Sequence, residues 1–415
     1  MRATIFSQRD ERDRLLARPY LTRHIDYDID QLLAAKQIKL LTGPRRAGKS
    51  TQALLMLRGK NFAYLNFDDN NLLKRWDEAV VMSLLNEVYP SYDYLLLDEV
   101  QNLDGWDVWV SKLYRNGTNL VVTGSNAKML SSEMATALTG RYLEIKIFPF
   151  SLAEFFEWSN IDPNALADDK DTRATALASD YLRQGGYPET IESRSITSSY
   201  LSTLFDAIVW KDVVERHKIR NVADLNNVAL YLLSNFCNPL TATNLAEGLG
   251  LSSVNTAKKY MGYLAEPFLF FYLPRYNNKL RLMTKAARKV YVVDNGFVTA
   301  RAFNLSENYG RMLENLVFVE LLRRGYDTEH NKMCYYKSRN NKKTDFVLRN
   351  GNRVTQLIQV CLDMSSKKTE KREVSALLEC AEELHCDNLV IVTESEQRTI
   401  ESSGHTIKVI PFTKF

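Results

Sequence analysis

A chain of 415 residues with 45% hydrophobic and 25% charged side chains is too long for one hydrophobic core and too apolar for a disordered protein, so two or more folded domains are expected. The formal net charge of +4 permits contact with nucleic acid without requiring it. The five cysteines, at 237, 334, 361, 380 and 386, form no CxxC pair, which points to a reducing compartment and away from a zinc site. The opening MRATIFSQRDERDRLL is charged where a signal peptide needs an apolar stretch, and no run is long enough to cross a bilayer; a cytoplasmic protein with no membrane partner is expected.

The first informative element is the apolar run QIKLLT at 37–42, followed by GPRRAGKST at 43–51 and the helix-like TQALLMLRGK. Strand, loop and helix in that order are the context in which GxxxxGK[ST] works, because successive backbone N–H groups around the loop point at phosphates. The expected nucleotide-binding residues are Gly43, Pro44, Arg45, Arg46, Ala47, Gly48, Lys49, Ser50 and Thr51. Gly43 and Gly48 supply backbone freedom, Lys49 reaches the β- and γ-phosphates, and the Ser50 hydroxyl binds Mg²⁺. ATP and Mg²⁺ are the expected cofactors.

Further strands are expected at 61–67 (NFAYLNF), 94–99 (YLLLDE), 119–125 (NLVVTGS) and 142–148 (YLEIKIF), with a helix at 76–88 between the second and third. Five strands joined by helical crossovers imply a parallel sheet. YLLLDE ends in two carboxylates at the C-terminal end of a buried strand: Asp98 is the expected metal residue and Glu99 the base that activates the attacking water. A solvated strand end is the alternative for this pair. One strand between the phosphate-loop strand and the acidic strand is similar to the AAA+ arrangement, in which Ser125 or Asn126 would sense the γ-phosphate; a plain polar turn is the alternative. Arg141 is a candidate arginine finger, in this chain or a neighbour, against a solvated arginine at a strand start.

Taken together, LLTGPRRAGKST, YLNFDD, LLLDEVQN, VVTGSN and GRYLEIKIFPFSLAEFF, then QGGYPE at 184–189, ARKVYVVDNG at 287–296, ENLVFVELLRRGY and TDFVL, resemble AAA+ ATPases of the AAA_14 group with a C-terminal DUF4143 domain. The resemblance spans nearly the whole chain and implies an α/β P-loop AAA+ core with ATP binding. It leaves the biological role open, and a ring and a monomer are equally compatible with it.

The expected domains are an AAA+ P-loop core at 1–155, a helical lid at 156–225, a winged-helix-like module at 226–296 and a restriction-endonuclease-like α/β domain at 297–415. In the third, NNVALYLLSNF, ATNLAEGLG and SSVNTAKKYMGYLAE read as three short helices, with PFLFFYLPRY and KLRLM as a two-stranded wing. Asn255, Lys258 and Lys259 would face a DNA major groove. Arg275, Lys279, Arg281, Lys285, Arg288 and Lys289, with no acidic residue among them, would neutralise phosphates. A solvated face, or docking to a protein partner, is the alternative.

In the last segment Glu314 and Glu320 lie on a helical stretch, Asp345 begins the strand DFVL and IQV at 358–360 reads as another strand. This order is similar to nucleases that bind Mg²⁺ between an acidic residue and a Glu-x-Lys. Gln359 and Cys361 stand where that Glu and Lys would be, so an inactive nuclease-like scaffold is expected unless Glu314, Glu320 or Asp363 rebuilds the site. The basic run KSRNNKK at 337–343 is a second candidate nucleic-acid contact, KKTEKREVSALLECAEEL an exposed helix and NLVIVT a closing core strand. The leading function is a Mg²⁺-dependent ATP-hydrolysing switch coupled to nucleic acid or a partner; the alternatives are an ATP-regulated DNA nuclease and a slow-turnover nucleotide sensor.

Overall fold

The apolar runs of the N-terminal part form the strands β1 (Ile38–Thr42), β2 (Phe62–Asn66), β3 (Tyr94–Asp98), β4 (Leu120–Gly124) and β5 (Tyr142–Lys146) of a computed structural model. Residues 1–25, 27–125, 138, 140–162, 172–277, 279–302, 309–328 and 330–415 are described. Two units are distinguished: Met1–Phe150 with Glu266–Phe268, and Ser151–Ala265 with Leu269–Phe415. The first unit ends at Phe150 apart from Glu266–Phe268, a short piece of the segment read as a winged helix.

In the first unit all strand pairs are parallel and the order is β2-β3-β4-β1-β5. β4 thus lies between the phosphate-loop strand and the acidic strand. β1 to β4 read as largely apolar runs because both faces are covered, whereas β5 at the edge exposes Glu144 and Lys146. Leu40, Leu65, Leu97 and Val122 pack on one face with Val81, Leu85, Trp109, Val110 and Leu113. Leu41, Tyr64, Leu96 and Val121 pack on the other with Leu32, Leu33, Ala53 and Leu54. At about 1.5–3 kcal/mol per buried large aliphatic side chain, these two layers dominate the stability of the unit. The helices are α1 (Arg2–Leu16), α2 (Ile29–Ala34), α3 (Lys49–Met56), α4 (Asn70–Leu73), α5 (Glu78–Val88) and α6 (Trp106–Arg115). α5 starts where Asp77 accepts the Val80 N–H at 3.0 Å, an N-cap that the run WDEAVV contains. Gln8 of α1 covers the β2 edge: its amide donates to Asn66 O and accepts from Asn66 N, each at 3.0 Å.

The second unit starts with helices at Leu152–Trp158, Thr172–Gln184, Pro188–Ile191 and Thr197–Ala207, the last continued by a π-helix at Ile208–Glu215. Helices Val222–Ser234, Ala242–Leu249 and Val254–Ala265 follow as expected. The strands β6 (Pro239–Leu240), β7 (Phe270–Leu273) and β8 (Arg288–Val292) form a sheet in the order β6-β8-β7, antiparallel throughout. KLRLM is not the second wing strand: Leu280–Lys285 is helical, and β7 pairs with β8. The reason is chemical, since LRLM consists of good helix formers whereas KVYVV is β-branched and aromatic.

After helices Asn295–Arg301 and Tyr309–Arg323 come β9 (Met333–Lys337), β10 (Lys343–Asn350), β11 (Arg353–Val360), β12 (Leu389–Thr393), β13 (Arg398–Ser402) and β14 (His405–Pro411). Their order is β13-β14-β12-β11-β10-β9. Helix Lys367–Leu384 is not simply exposed: Val374, Leu377, Leu378 and Ala381 are buried with Leu357 and Ile391 of that sheet.

A buried polar network joins three motifs that are far apart in sequence. Asp294 accepts from Gly186 N and Gly296 N, both at 2.8 Å. Asn295 donates to Leu182 O at 2.8 Å and Met312 O at 2.9 Å, and Asn315 exchanges 2.9 Å bonds with both backbone groups of Val292. Gly185 is required here: it has φ +73°, and a Cβ would lie 1.7 Å from Asp294 Oδ1. Gly185→Ala is expected to lower the unfolding free energy by about 2–4 kcal/mol, read from the urea midpoint, because it adds left-handed strain to a clash with a buried carboxylate.

Candidate functional site

The C-terminal ends of β1, β3 and β4 carry the phosphate loop, the two acids and a hydroxyl pair. The loop leaves β1 at Gly43 (φ +144°), where a Cβ would lie 2.0 Å from Ile147 O, so only glycine allows the loop to pass the strand end so closely. Arg46 adopts φ 65°, and Gly48, at φ 92°, precedes the first residue of α3. The Lys49 side chain is buried. Its ammonium donates to Pro44 O at 2.9 Å and lies 3.9 Å from Glu99 Oε1.

Asp98 is buried at the end of β3. Its Oδ1 accepts from Thr123 Oγ1 at 2.5 Å, its Oδ2 from Tyr64 OH at 3.3 Å, and the Ser50 hydroxyl also bonds to it. Burial, and then the neighbouring Glu99 charge, push its carboxyl up to about 6. Glu99 follows in a left-handed conformation, φ 50°, its N–H held by Thr123 Oγ1 at 2.9 Å. That one hydroxyl orders both acids, one as donor and one as acceptor. The Glu99 carboxylate accepts from Ser125 Oγ at 3.1 Å and from the Gln101 amide, which also donates to Ser125 Oγ at 3.3 Å. Gln101 Oε1 is buried and has no hydrogen-bond partner among the described residues.

The structure thus brings together Gly43, Lys49, Ser50, Asp98, Glu99 and Ser125. Asn126 lies outside the described residues. Arg141 stands at the other end of the sheet: its carbonyl accepts from Ile38 N at 2.9 Å, and its guanidinium lies 5.8 Å from the Tyr114 ring. Ile38 starts β1 and the phosphate loop follows its last residue, so a strand length of roughly 13–17 Å separates Arg141 from the loop of its own chain. A finger role within the same chain is excluded by that placement.

Sequence reasoning missed Thr123, Gln101, Tyr64 and Arg23. Thr123 and Gln101 lie inside VVTGS and DEVQN, where their position beside the two acids was the available signal. Arg23 carries none: it reaches the loop from a segment before β1, donating to Ala47 O at 3.0 Å, Phe148 O at 2.6 Å and Pro149 O at 3.2 Å.

In the second unit Asn255, Lys258 and Lys259 are exposed on helix Val254–Ala265, and Lys279, Arg281, Lys285 and Arg288 are exposed as well. Arg275 and Lys279 meet Lys337 and Arg339 of the KSRNNKK segment around a cleft of about 710 Å³, which Glu382 and Glu383 also line. Lys289 departs from the expected solvated row: it is buried, with its ammonium 2.8 Å from Glu314 Oε1 and 2.7 Å from Asp345 Oδ1. Burial alone would lower its pKa, but the two carboxylates outweigh this and hold it above the ordinary lysine value. The Gln359 amide donates to Glu373 Oε2 at 2.8 Å. Among the described residues no group of three His, Cys, Asp or Glu side chains could hold a metal, and no helix is long and apolar enough to cross a membrane. All five cysteines are free and buried.

Because Asp98 binds a proton more tightly when folded than when unfolded, its contribution to stability is complete below about pH 4 and is lost as pH rises through about 6. Asp98→Asn is therefore expected to be more stable than wild type, without nucleotide, by about 1–3 kcal/mol near pH 8, with the advantage shrinking toward pH 4. Paired urea denaturation curves at the two pH values measure this.

Comparison with known proteins bears on the whole chain. An AAA domain model (AAA_14) matches residues 35–156, a domain of unknown function (DUF8612) matches 175–331, and a further domain of unknown function (DUF4143) matches 309–415. An uncharacterized protein of Methanocaldococcus jannaschii is 31% identical over 414 residues, covering 94% of this chain and 90% of its own length. One from Haemophilus influenzae is 33% identical over 364 residues, covering 82% and 87%. Among solved structures, the Walker-type ATPase of Pyrococcus abyssi overlaps 69% of this chain and 99% of its own at 15% identity and a TM-score of 0.42. The replication initiator DnaA bound to AMPPCP and single-stranded DNA overlaps 57% and 84% at 13% identity and a TM-score of 0.27. These structural likenesses are distant and add nothing to the strand order above. Identity to the archaeal relative over nearly the full length, together with the matched domains, places the chain in the family of AAA-domain (AAA_14) proteins that carry a C-terminal DUF4143 domain.

Proposed function

We propose that the protein is a Mg²⁺-dependent ATPase whose nucleotide state is coupled to nucleic acid or a protein partner through its second unit. The observation that carries this reading is the meeting of Lys49, Ser50, Asp98 and Glu99 at one end of a parallel sheet, where ligands of open α/β folds bind. The donor set suits Mg²⁺: a serine hydroxyl already bonded to a buried carboxylate, beside a phosphate loop. When bound there, the ion supplies positive charge to the phosphate oxygens. Lys49 is drawn from Pro44 O onto the β- and γ-phosphates, and backbone N–H groups of residues 43–51 face the phosphate oxygens. Glu99 takes a proton from the attacking water, whose oxygen bonds to the γ-phosphorus as the bond to ADP breaks. Gln101 and Ser125 hold the Glu99 carboxylate, and Gln101 Oε1, unpaired among the described residues, accepts from that water.

The exposed cations on helix Val254–Ala265 and at 279–288 support nucleic acid as the partner. For the C-terminal domain the reading is a nuclease-like scaffold without nuclease activity. Gln359 and Cys361 provide neither the second carboxylate nor the lysine, and Glu314 and Asp345 are already engaged with Lys289.

Steady-state hydrolysis and fluorescent-nucleotide titration test the proposal. Lys49→Ala is expected to lose nucleotide binding. Glu99→Gln should retain binding while kcat falls by about 10²–10⁴. Gln101→Ala should lower kcat roughly tenfold at unchanged KM, the signature of an interaction made in the transition state. Wild-type turnover should rise with DNA at low salt. Equal turnover in wild type and Glu99→Gln would sink the ATPase reading, and indifference to DNA would redirect the coupling to a protein partner.

A further inference from the structure

Lys289 stands near the start of β8 in a basic sequence segment whose Lys279, Arg281, Lys285 and Arg288 are exposed, yet its side chain is only 6% accessible. Its ammonium bridges Glu314, from helix Tyr309–Arg323, and Asp345, from β10, at 2.8 and 2.7 Å. Each carboxylate has a second donor, on the same oxygen in Glu314 and on the other oxygen in Asp345. Tyr291 OH donates to Glu314 Oε1 at 2.6 Å, and Val360 N donates to Asp345 Oδ2 at 3.0 Å. The Tyr335 ring lies 5.7 Å from the ammonium. Two buried carboxylates from a helix and a neighbouring strand, aimed at one point, are what a hard divalent cation takes, with water filling its remaining positions. Here that point is filled by the chain's own nitrogen. Two carboxylates this close and this dry need a cation between them, because each would otherwise be a buried charge beside a like charge.

The geometry points to Lys289 as the resident cation of the C-terminal domain: its ammonium occupies the position a divalent metal would take between Glu314 and Asp345, and its removal uncovers a dicarboxylate site for Mn²⁺ or Mg²⁺. The assignment deepens the reading of this domain as an inactive nuclease-like scaffold and rests on it for the comparison with a metal. It also gives the lysine a second task, since one ammonium joins β8 of the three-stranded sheet to β10 of the six-stranded sheet.

The test uses the full chain without nucleotide, with Mn²⁺ binding followed by electron paramagnetic resonance on wild type, Lys289→Ala and Lys289→Ala/Glu314→Gln. Lys289→Ala is expected to bind one Mn²⁺ more than wild type and the double variant to lose it, which separates this site from Ser50 and Asp98. A folded Lys289→Ala with wild-type stoichiometry overturns the assignment, as does a Mn²⁺ bound by wild type and lost on Glu314→Gln. Should Lys289→Ala prove unfolded in chelator, excess Mn²⁺ must raise its thermal midpoint and restore its circular dichroism; failure to do so also overturns the assignment. The two readings fail separately. A variant that binds no Mn²⁺ leaves the inactive scaffold standing on Gln359 and Cys361, whereas DNA cleavage by wild type ends that reading whatever the variant binds.

Discussion

A parallel sheet covered on both faces has nowhere to place polar side chains except at the ends of its strands, and this constraint shapes the first unit. Leu95, Leu96 and Leu97 are fully buried, and the first side chains of that run free to be acidic are Asp98 and Glu99. The same holds for β4, whose apolar run gives way to Thr123 and Ser125. Register then does the rest: Asn66 pairs with Asp98 and Thr42 with Gly124, so the polar ends fall at one level. The hydroxyl of Thr123 reaches Asp98 from the neighbouring strand because of that alignment.

The second unit meets the opposite problem, since it buries polar groups in its interior and must satisfy each. Asp294, Asn295 and Asn315 do so by bonding to backbone groups of distant segments, and Lys289, Glu314 and Asp345 by bonding to one another. Burial pushes the Asp294 carboxyl up to about 6 even with two backbone donors on it. Such networks contribute more to specifying one arrangement than to raw stability, because an apolar replacement of similar shape would cost less desolvation.

The fold of the first unit was legible because its signals are local: apolar runs of strand length, turn residues and a phosphate loop with fixed spacing. Lys49, Ser50, Asp98 and Glu99 were legible for the same reason. For Arg141 a sequence reveals that an arginine precedes a strand but not which end of the sheet it occupies, which follows from its pairing with Ile38 and leaves the neighbouring-chain role untouched. Arg23 and Lys289 were illegible in a stronger sense. Their roles depend on partners at 47 and 148 in one case, and at 314 and 345 in the other. A basic run such as 275–289 is read as one phosphate-facing or solvated row, and only the β7–β8 pairing shows that Lys289 of that run is buried. KLRLM failed where apolar alternation over four residues suits a helix as well as a strand.

The contacts of Arg23 have a consequence for ligand capture. One guanidinium ties the carbonyl of Ala47, within the phosphate loop, to those of Phe148 and Pro149 beyond β5, and its central carbon lies 4.6 Å from the centre of the Phe150 ring. The loop is therefore held to the sheet from outside as well as through its own glycines. Conformational freedom that a looser loop would surrender on meeting phosphate is surrendered here during folding. Encounter with a phosphate-bearing ligand then resembles docking to a preformed cradle, with less of the contact free energy spent on ordering the backbone.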